Sequence, residues 1–245
     1  SMSLIKSTSA SNSASQNFFR REFQLLVGFL RQPTRGPRHT LSRPTYWKRI
    51  LFLSILDITI SACILLFLMQ FSVFASLDFK HNYKDVFLCF FAVMIAPPIE
   101  EFVFRAGLRN FAYSLLIGPL IIAAFVANWW ILVILAAVLA LETAYLRWKL
   151  TREANRGRAL GFRLGRQFIQ SYRWIFWSYA VAFSLVHLGN YNISKPSDWV
   201  VIFAVLPQLF AGVVWAYGRL RMNLLASIIL HIIHNGVFVL IALAV

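Results

Sequence analysis

Between Asn110 and Leu141 the chain carries no charged side chain, and its apolar character persists to about Leu146. At 1.5 Å rise per residue, one helix over that stretch would be about 55 Å long, nearly twice the roughly 30 Å hydrocarbon core of a bilayer. Two crossings are more economical, turning near Asn128-Trp129-Trp130 or at Gly118-Pro119. Further runs long enough to cross lie at about 47–77, 86–108, 174–190, 199–217 and 223–243. The expected fold class is therefore all-α, a polytopic transmembrane helix bundle of about seven spans, with six or eight as the alternatives.

Composition enters as a check on that reading. Of the 245 residues 59% are hydrophobic and only 13% are charged, whereas soluble domains run near 45–50% apolar and about 25% charged. The formal charge of +15 is concentrated, with nine basic residues before Ile50 and eight between Arg147 and Arg173. These basic stretches flank apolar spans instead of lining a soluble surface, so nucleic acid is not an expected partner. Two spans between residues 110 and 146 put both basic stretches on one side, which the positive-inside rule makes cytoplasmic. The expected localisation is multi-pass and integral, in a cytoplasmic or inner membrane, with the N-terminus inside and the C-terminus outside.

Two regions are expected: residues 1–46 as a basic N-terminal tail, and residues 47–245 as the membrane domain. The serine-rich first residues have no apolar core of signal-peptide length and read as a disordered tail. Over 17–31, Phe19, Phe23, Leu26 and Leu30 share one helical face, and Arg20, Arg21 and Arg31 lie elsewhere. That suits an amphipathic helix lying in the interface among anionic lipid headgroups, or equally a helix packed on the bundle. Cys63 and Cys89 fall inside apolar spans without CxxC spacing and read as small hydrophobes.

Three polar clusters interrupt the spans: Glu100-Glu101-Phe102-Val103-Phe104-Arg105, Phe183-Ser184-Leu185-Val186-His187 and His231-Ile232-Ile233-His234-Asn235. A charged side chain at mid-bilayer costs about 2.5–3.5 kcal/mol on insertion scales, so such residues mark a proton path, an ion path or a wet reaction site. Pro97-Pro98 remove helical N–H donors, so the helix is expected to kink or restart there. Both acids would then stand near a new helix start, where free N–H groups favour negative charge. Glu101 and Arg105, four apart, suit a charge-balancing pair, while Glu100 projects about 100° away as the candidate acid or base. Phe183 shares a face with His187, and His231 shares one with Asn235. His234 points aside and reads as a packing residue, as do His39 and His81 in loops. Asp57 and Glu142 lack clustered partners and suit pairing or snorkelling.

APPIEEFVFRAGL, FSLVH and HIIHN, in that order, resemble the CPBP family of intramembrane proteases (CAAX proteases and bacteriocin-processing enzymes), whose signatures are EExxxR, FxxxH and HxxxN. The resemblance covers roughly residues 85–245. It implies a glutamic-type protease in which Glu100 and His187 activate water and His231 and Asn235 stabilise the oxyanion. Glu101, Arg105, Phe104 and Phe183 would support the site. About 78 residues separate Arg105 from Phe183, longer than the family spacing, and the basic N-terminal extension is outside the motif region.

The residues themselves suit that chemistry, since peptide hydrolysis needs a base for water and donors for the oxyanion. No cofactor is expected. A zinc ion held by Glu100, His187 and His231, with Glu101 beside them, is the lesser alternative because no HExxH pattern occurs. Expected partners are membrane lipids and a peptide or lipidated-peptide substrate. Rival readings are a silent membrane scaffold or immunity protein, and a proton- or ion-coupled transporter. The latter is weakened because the Pro-Pro break has no counterpart in a second half.

Overall fold

The computed structural model describes residues 18–71, 85–105, 107–110, 113–114, 162–163, 165–191 and 202–244. The two spans expected within 110–146, most of the basic 147–173 loop, the serine-rich tail, His81 and Glu142 lie outside the described residues. The described elements are helices: α1 over 18–31, α2 Arg43–Leu68, α3 over 86–105, α4 Tyr172–Val186, α5 Leu206–Arg221 and α6 Leu224–Ala244.

Among the described residues four helices are long and apolar enough to cross a membrane: Arg43–Leu68, Val86–Arg109, Ile202–Arg221 and Leu224–Ala244. The bundle is therefore all-helical and of membrane type. The fifth expected span, 174–190, forms a helix of only 15 residues in α4, followed by a 3-10 turn at His187–Asn190. α5 is the hub, packed on α2, α4 and α6. Its apolar window is 61% buried, against 28%, 17% and 28% for the other three, so those turn most of their apolar surface outward. Leu51, Ile55 and Phe67 on α2 and Leu240 and Leu243 on α6 are exposed in this way. Such a belt suits contact with hydrocarbon.

One end of the bundle gathers the starts of α2 and α4, the ends of α3 and α5, and the short α5–α6 turn. The Arg109 guanidinium donates to the carbonyls of Leu220, Arg35 and Gly36 at 2.6, 3.3 and 3.2 Å. His39 N–H donates to the Arg221 carbonyl at 2.8 Å, and Tyr172 O–H to the Leu108 carbonyl at 2.8 Å. Gly36 has φ +45°, a left-handed backbone conformation that favours glycine, where the linker crosses the α5 end beside the Arg221 guanidinium.

α1 rests on the bundle, burying Glu22, Leu26 and Phe29 and leaving Phe19 and Phe23 exposed. Its rotation is set by the 2.6 Å ion pair of Glu22 with Arg49 and by the edge-on packing of Phe29 against Phe176 and Tyr217. One expectation needs correction, at the prolines. α3 does not restart at Pro97-Pro98; it runs on from Val86 to Arg105 through a π-helical turn at Phe91–Ile95. Asp85 caps its start, accepting from Phe87 N–H and Leu88 N–H. Glu100 and Glu101 thus lie deep in a helix, away from free N–H groups. The wider turn takes the place of a break.

Candidate active site

Glu100 and Glu101 are adjacent on α3, so the helix aims them about 100° apart, and their surroundings differ completely. Glu101 is fully buried. Its Oε1 lies 3.3 Å from Arg105 Nη1 and 3.1 Å from His231 Nδ1, and its Oε2 accepts from Ser227 Oγ. Ser227 stands four residues before His231 on the same face of α6, and its Oγ also lies 3.0 Å from the Trp215 carbonyl. Arg105 donates to the Gly212 carbonyl at 3.4 Å and lies 3.7 Å over the Phe183 ring. Position 212 must be glycine for this approach, since a Cβ there would fall 2.7 Å from Phe183 and 2.8 Å from the guanidinium. Phe104 packs edge-on to Phe183 at 5.3 Å, completing an aromatic floor.

Glu100 keeps 25% of its side chain accessible. Its Oε2 lies 3.8 Å from His187 Nε2 and 3.7 Å from His231 Nε2, and has no hydrogen-bond partner. The partners of the other ring nitrogens decide the tautomers. His187 Nδ1 sits 2.8 Å from the Phe183 carbonyl, which can only accept, so Nδ1 carries the proton. His231 Nδ1 faces the Arg105-paired Glu101 carboxylate and donates likewise. In the neutral rings both Nε2 atoms are bare. Three acceptors therefore converge, and something must bring protons or positive charge between them.

Glu100 stands nine residues before Arg109 and His231 seven after Leu224, placing the pair about 10–14 Å inside the spans at 1.5 Å per residue. His187 reaches them from the far end of α4, where the chain tightens into its 3-10 turn. Phe183 flanks both rings, with centroids 4.6 Å from His187 and 6.0 Å from His231.

Asn235 is placed differently from its expected role. Its Nδ2 donates to the Ala92 carbonyl at 2.8 Å, leaving one amide N–H for other work. The reason lies in α3. The π turn gives the Ala96 N–H to the Phe91 carbonyl, and the next donor along the chain for Ala92 would be Pro97, which has none. Asn235 supplies the missing donor.

A second buried cluster joins the first through Trp215. Asp57 on α2 accepts at Oδ2 from Trp215 Nε1 at 2.9 Å and from His234 Nδ1 at 3.0 Å, and at Oδ1 from Ser61 Oγ at 3.2 Å. Trp215 stacks on His231 with centroids 3.8 Å apart. Asp57 is thus a clustered residue, contrary to expectation. Sequence reading also passed over Ser227 and Trp215. Ser227 and Asp57 had a local signal, a polar residue four positions from another on an apolar helix (Ser227–His231, Asp57–Ser61); Trp215 had none.

Among the described residues no group of three or more His, Cys, Asp or Glu is set to hold a metal ion. The 3.7 and 3.8 Å gaps exceed the roughly 3.3 Å between ligands that each lie about 2.0–2.1 Å from one tetrahedral zinc. No family model, curated protein or solved structure matches this chain.

Proposed function

We propose that the chain is an intramembrane peptide hydrolase of glutamic type. The observation that carries this reading is the single unpartnered oxygen of Glu100 facing two bare imidazole nitrogens at 3.7 and 3.8 Å. Those gaps are too long for direct hydrogen bonds but suit a water set beside them, about 2.8 Å from the carboxylate and one ring. Such a water donates one proton to Glu100 Oε2 and one to His187 Nε2, leaving its lone pair for a substrate carbonyl carbon. As the water attacks, Glu100 takes its proton and later delivers it to the leaving amine.

The oxyanion step uses the form in which His231 has taken a second proton from solvent: Nδ1–H stays on Glu101 and the added Nε2–H turns to the developing oxyanion. The remaining Asn235 N–H is the second donor. Arg105 and Ser227 hold Glu101, so Glu101 orients His231 and does not compete for the water. The substrate class is a membrane-associated or lipidated peptide, and the topology has the N-terminus in the cytoplasm. The likeness to CPBP proteases in motif order agrees with these roles.

A proton-coupled transporter is the second reading, favoured by the additional buried carboxylate–imidazole pair of Asp57 and His234. Comparing peptides from membranes that carry native chain or Glu100→Gln separates the two. A hydrolase leaves uncleaved precursors in the variant, and identical profiles would remove support for hydrolysis. Saturating EDTA is expected to leave cleavage unchanged; loss restored by zinc would instead make Glu100, His187 and His231 metal ligands.

A further inference from the structure

Independently of the chemistry at Glu100, the end of the bundle that carries the α5–α6 turn holds a groove of about 840 Å³. Its walls are the end of α1, the linker over 32–36, the 3-10 turn Gly107–Arg109 that follows α3, and residues 169–174 around the start of α4. Arg31, Arg35, Arg109 and Arg173 line it, and among the described residues no carboxylate does. Among the described residues the acids stand elsewhere: Glu22 is paired with Arg49, Asp57 with His234, Glu101 with Arg105, Glu100 faces His187 and His231, and Asp85 caps the opposite end of α3.

The four arginines divide by task. Arg109 is a structural clamp, its guanidinium spent on the Leu220, Arg35 and Gly36 carbonyls. Arg31, Arg35 and Arg173 form no ion pair among the described residues. Like charges held around one concavity repel, and an anion seated between them relieves that repulsion; guanidinium forks match phosphate oxygens in geometry as well as charge. Beside the basic floor, Ile169 and Trp174 on the α4 wall are 65% and 74% exposed. A tryptophan and an aliphatic side chain at the level where spans end are suited to the headgroup–acyl boundary.

We propose that this groove binds the phosphate of an anionic phospholipid, with Arg31, Arg35 and Arg173 clamping the headgroup and Ile169 and Trp174 lying along the acyl chains. A soluble phosphate offers the same charge, but only a lipid uses the apolar wall.

The test uses the full chain in neutral detergent, titrated with short-chain phosphatidate, short-chain phosphatidylcholine or inorganic phosphate while thermal unfolding is followed. Phosphatidate is expected to raise the midpoint saturably for native chain and for R20Q/R21Q, whose arginines lie outside the groove. In R31Q/R173Q its apparent affinity should fall about tenfold or more. Phosphatidylcholine and inorganic phosphate should leave the midpoint unmoved. Equal phosphatidate affinity in R31Q/R173Q and native chain, or an equal response to phosphatidylcholine, would overturn the proposal. An equal response to inorganic phosphate would reassign the groove to a soluble anion. Should R31Q/R173Q unfold before titration, the single variants R31Q and R173Q carry the same comparison, read by lipid retention in native mass spectrometry.

Discussion

Asp57 and Glu100 both sit within the bundle beside histidines, and the contrast between them is instructive. Asp57 is closed: both oxygens accept, one from Ser61 and the other from Trp215 and His234. Glu100 is open: its Oε2 accepts nothing and faces two ring nitrogens that are bare in the neutral rings. Satisfied buried acids rigidify, whereas an unsatisfied one is a place where protons can be exchanged. In the proposed mechanism the first carboxylate belongs to the frame and the second to the chemistry.

The sharpest way to break that contrast is to remove each acid in turn. Glu100→Gln removes the base without taking a partner from any donor, so turnover should fall about 10²–10⁴-fold while thermal unfolding hardly moves. A normal rate in Glu100→Gln, measured on an accumulated precursor, would end the comparison. Asn235→Ala comes next. Loss of one oxyanion donor should slow turnover about 10²–10³-fold, and the orphaned Ala92 carbonyl should cost stability as well. Asn235→Asp cannot donate and should share the slow rate; a fast Asn235→Asp would limit Asn235 to holding α3.

Asp57→Ala has the opposite profile. It orphans the Trp215 N–H and the His234 N–H, at about 1–3 kcal/mol for each unsatisfied group, so the unfolding midpoint should drop. Rate per folded molecule should change far less than in Glu100→Gln. A large kinetic loss with an unchanged midpoint would put Asp57 in the chemistry.

The smallest effect concerns the linker. Burial, and then the charge of Arg49, hold the His39 imidazole below its ordinary 6.5, and its Nδ1 accepts from Arg49 at 2.9 Å. Protonation abolishes that acceptor. Docking of the 32–42 segment is therefore complete above about pH 6.5 and weakens as pH falls towards the lowered value, because the released segment binds the proton more readily. Protection of these amides from hydrogen exchange, corrected for the intrinsic pH dependence of exchange, should fall as pH drops below about 6.5, and His39→Gln should flatten that trend.

Much of the site was legible because its parts repeat every four residues along single helices. Glu101–Arg105, Phe183–His187 and His231–Asn235 are local pairs whose faces follow from helical phase alone. The meeting of Glu100 with His187 and His231 follows the same logic of polar faces sharing one apolar surround. Contacts between distant helices carry no such mark. Nothing local says that Trp215 would place its N–H on Asp57 and its ring on His231. The prolines were misjudged for a related reason: loss of a donor shows in the sequence, but whether the helix breaks or widens depends on a partner such as Asn235, 143 positions from Ala92.

The wide turn in α3 has a further consequence. One residue of slack changes helical phase by about 100°, so Val86–Phe90 and the acids below them answer to different angular registers. The outer stretch can keep Val86 and Phe87 towards lipid while Glu101 stays locked inward. Shortening 91–95 by one residue would gear the two together again, and either greasy side chains would swing towards the interior or a carboxylate would swing out.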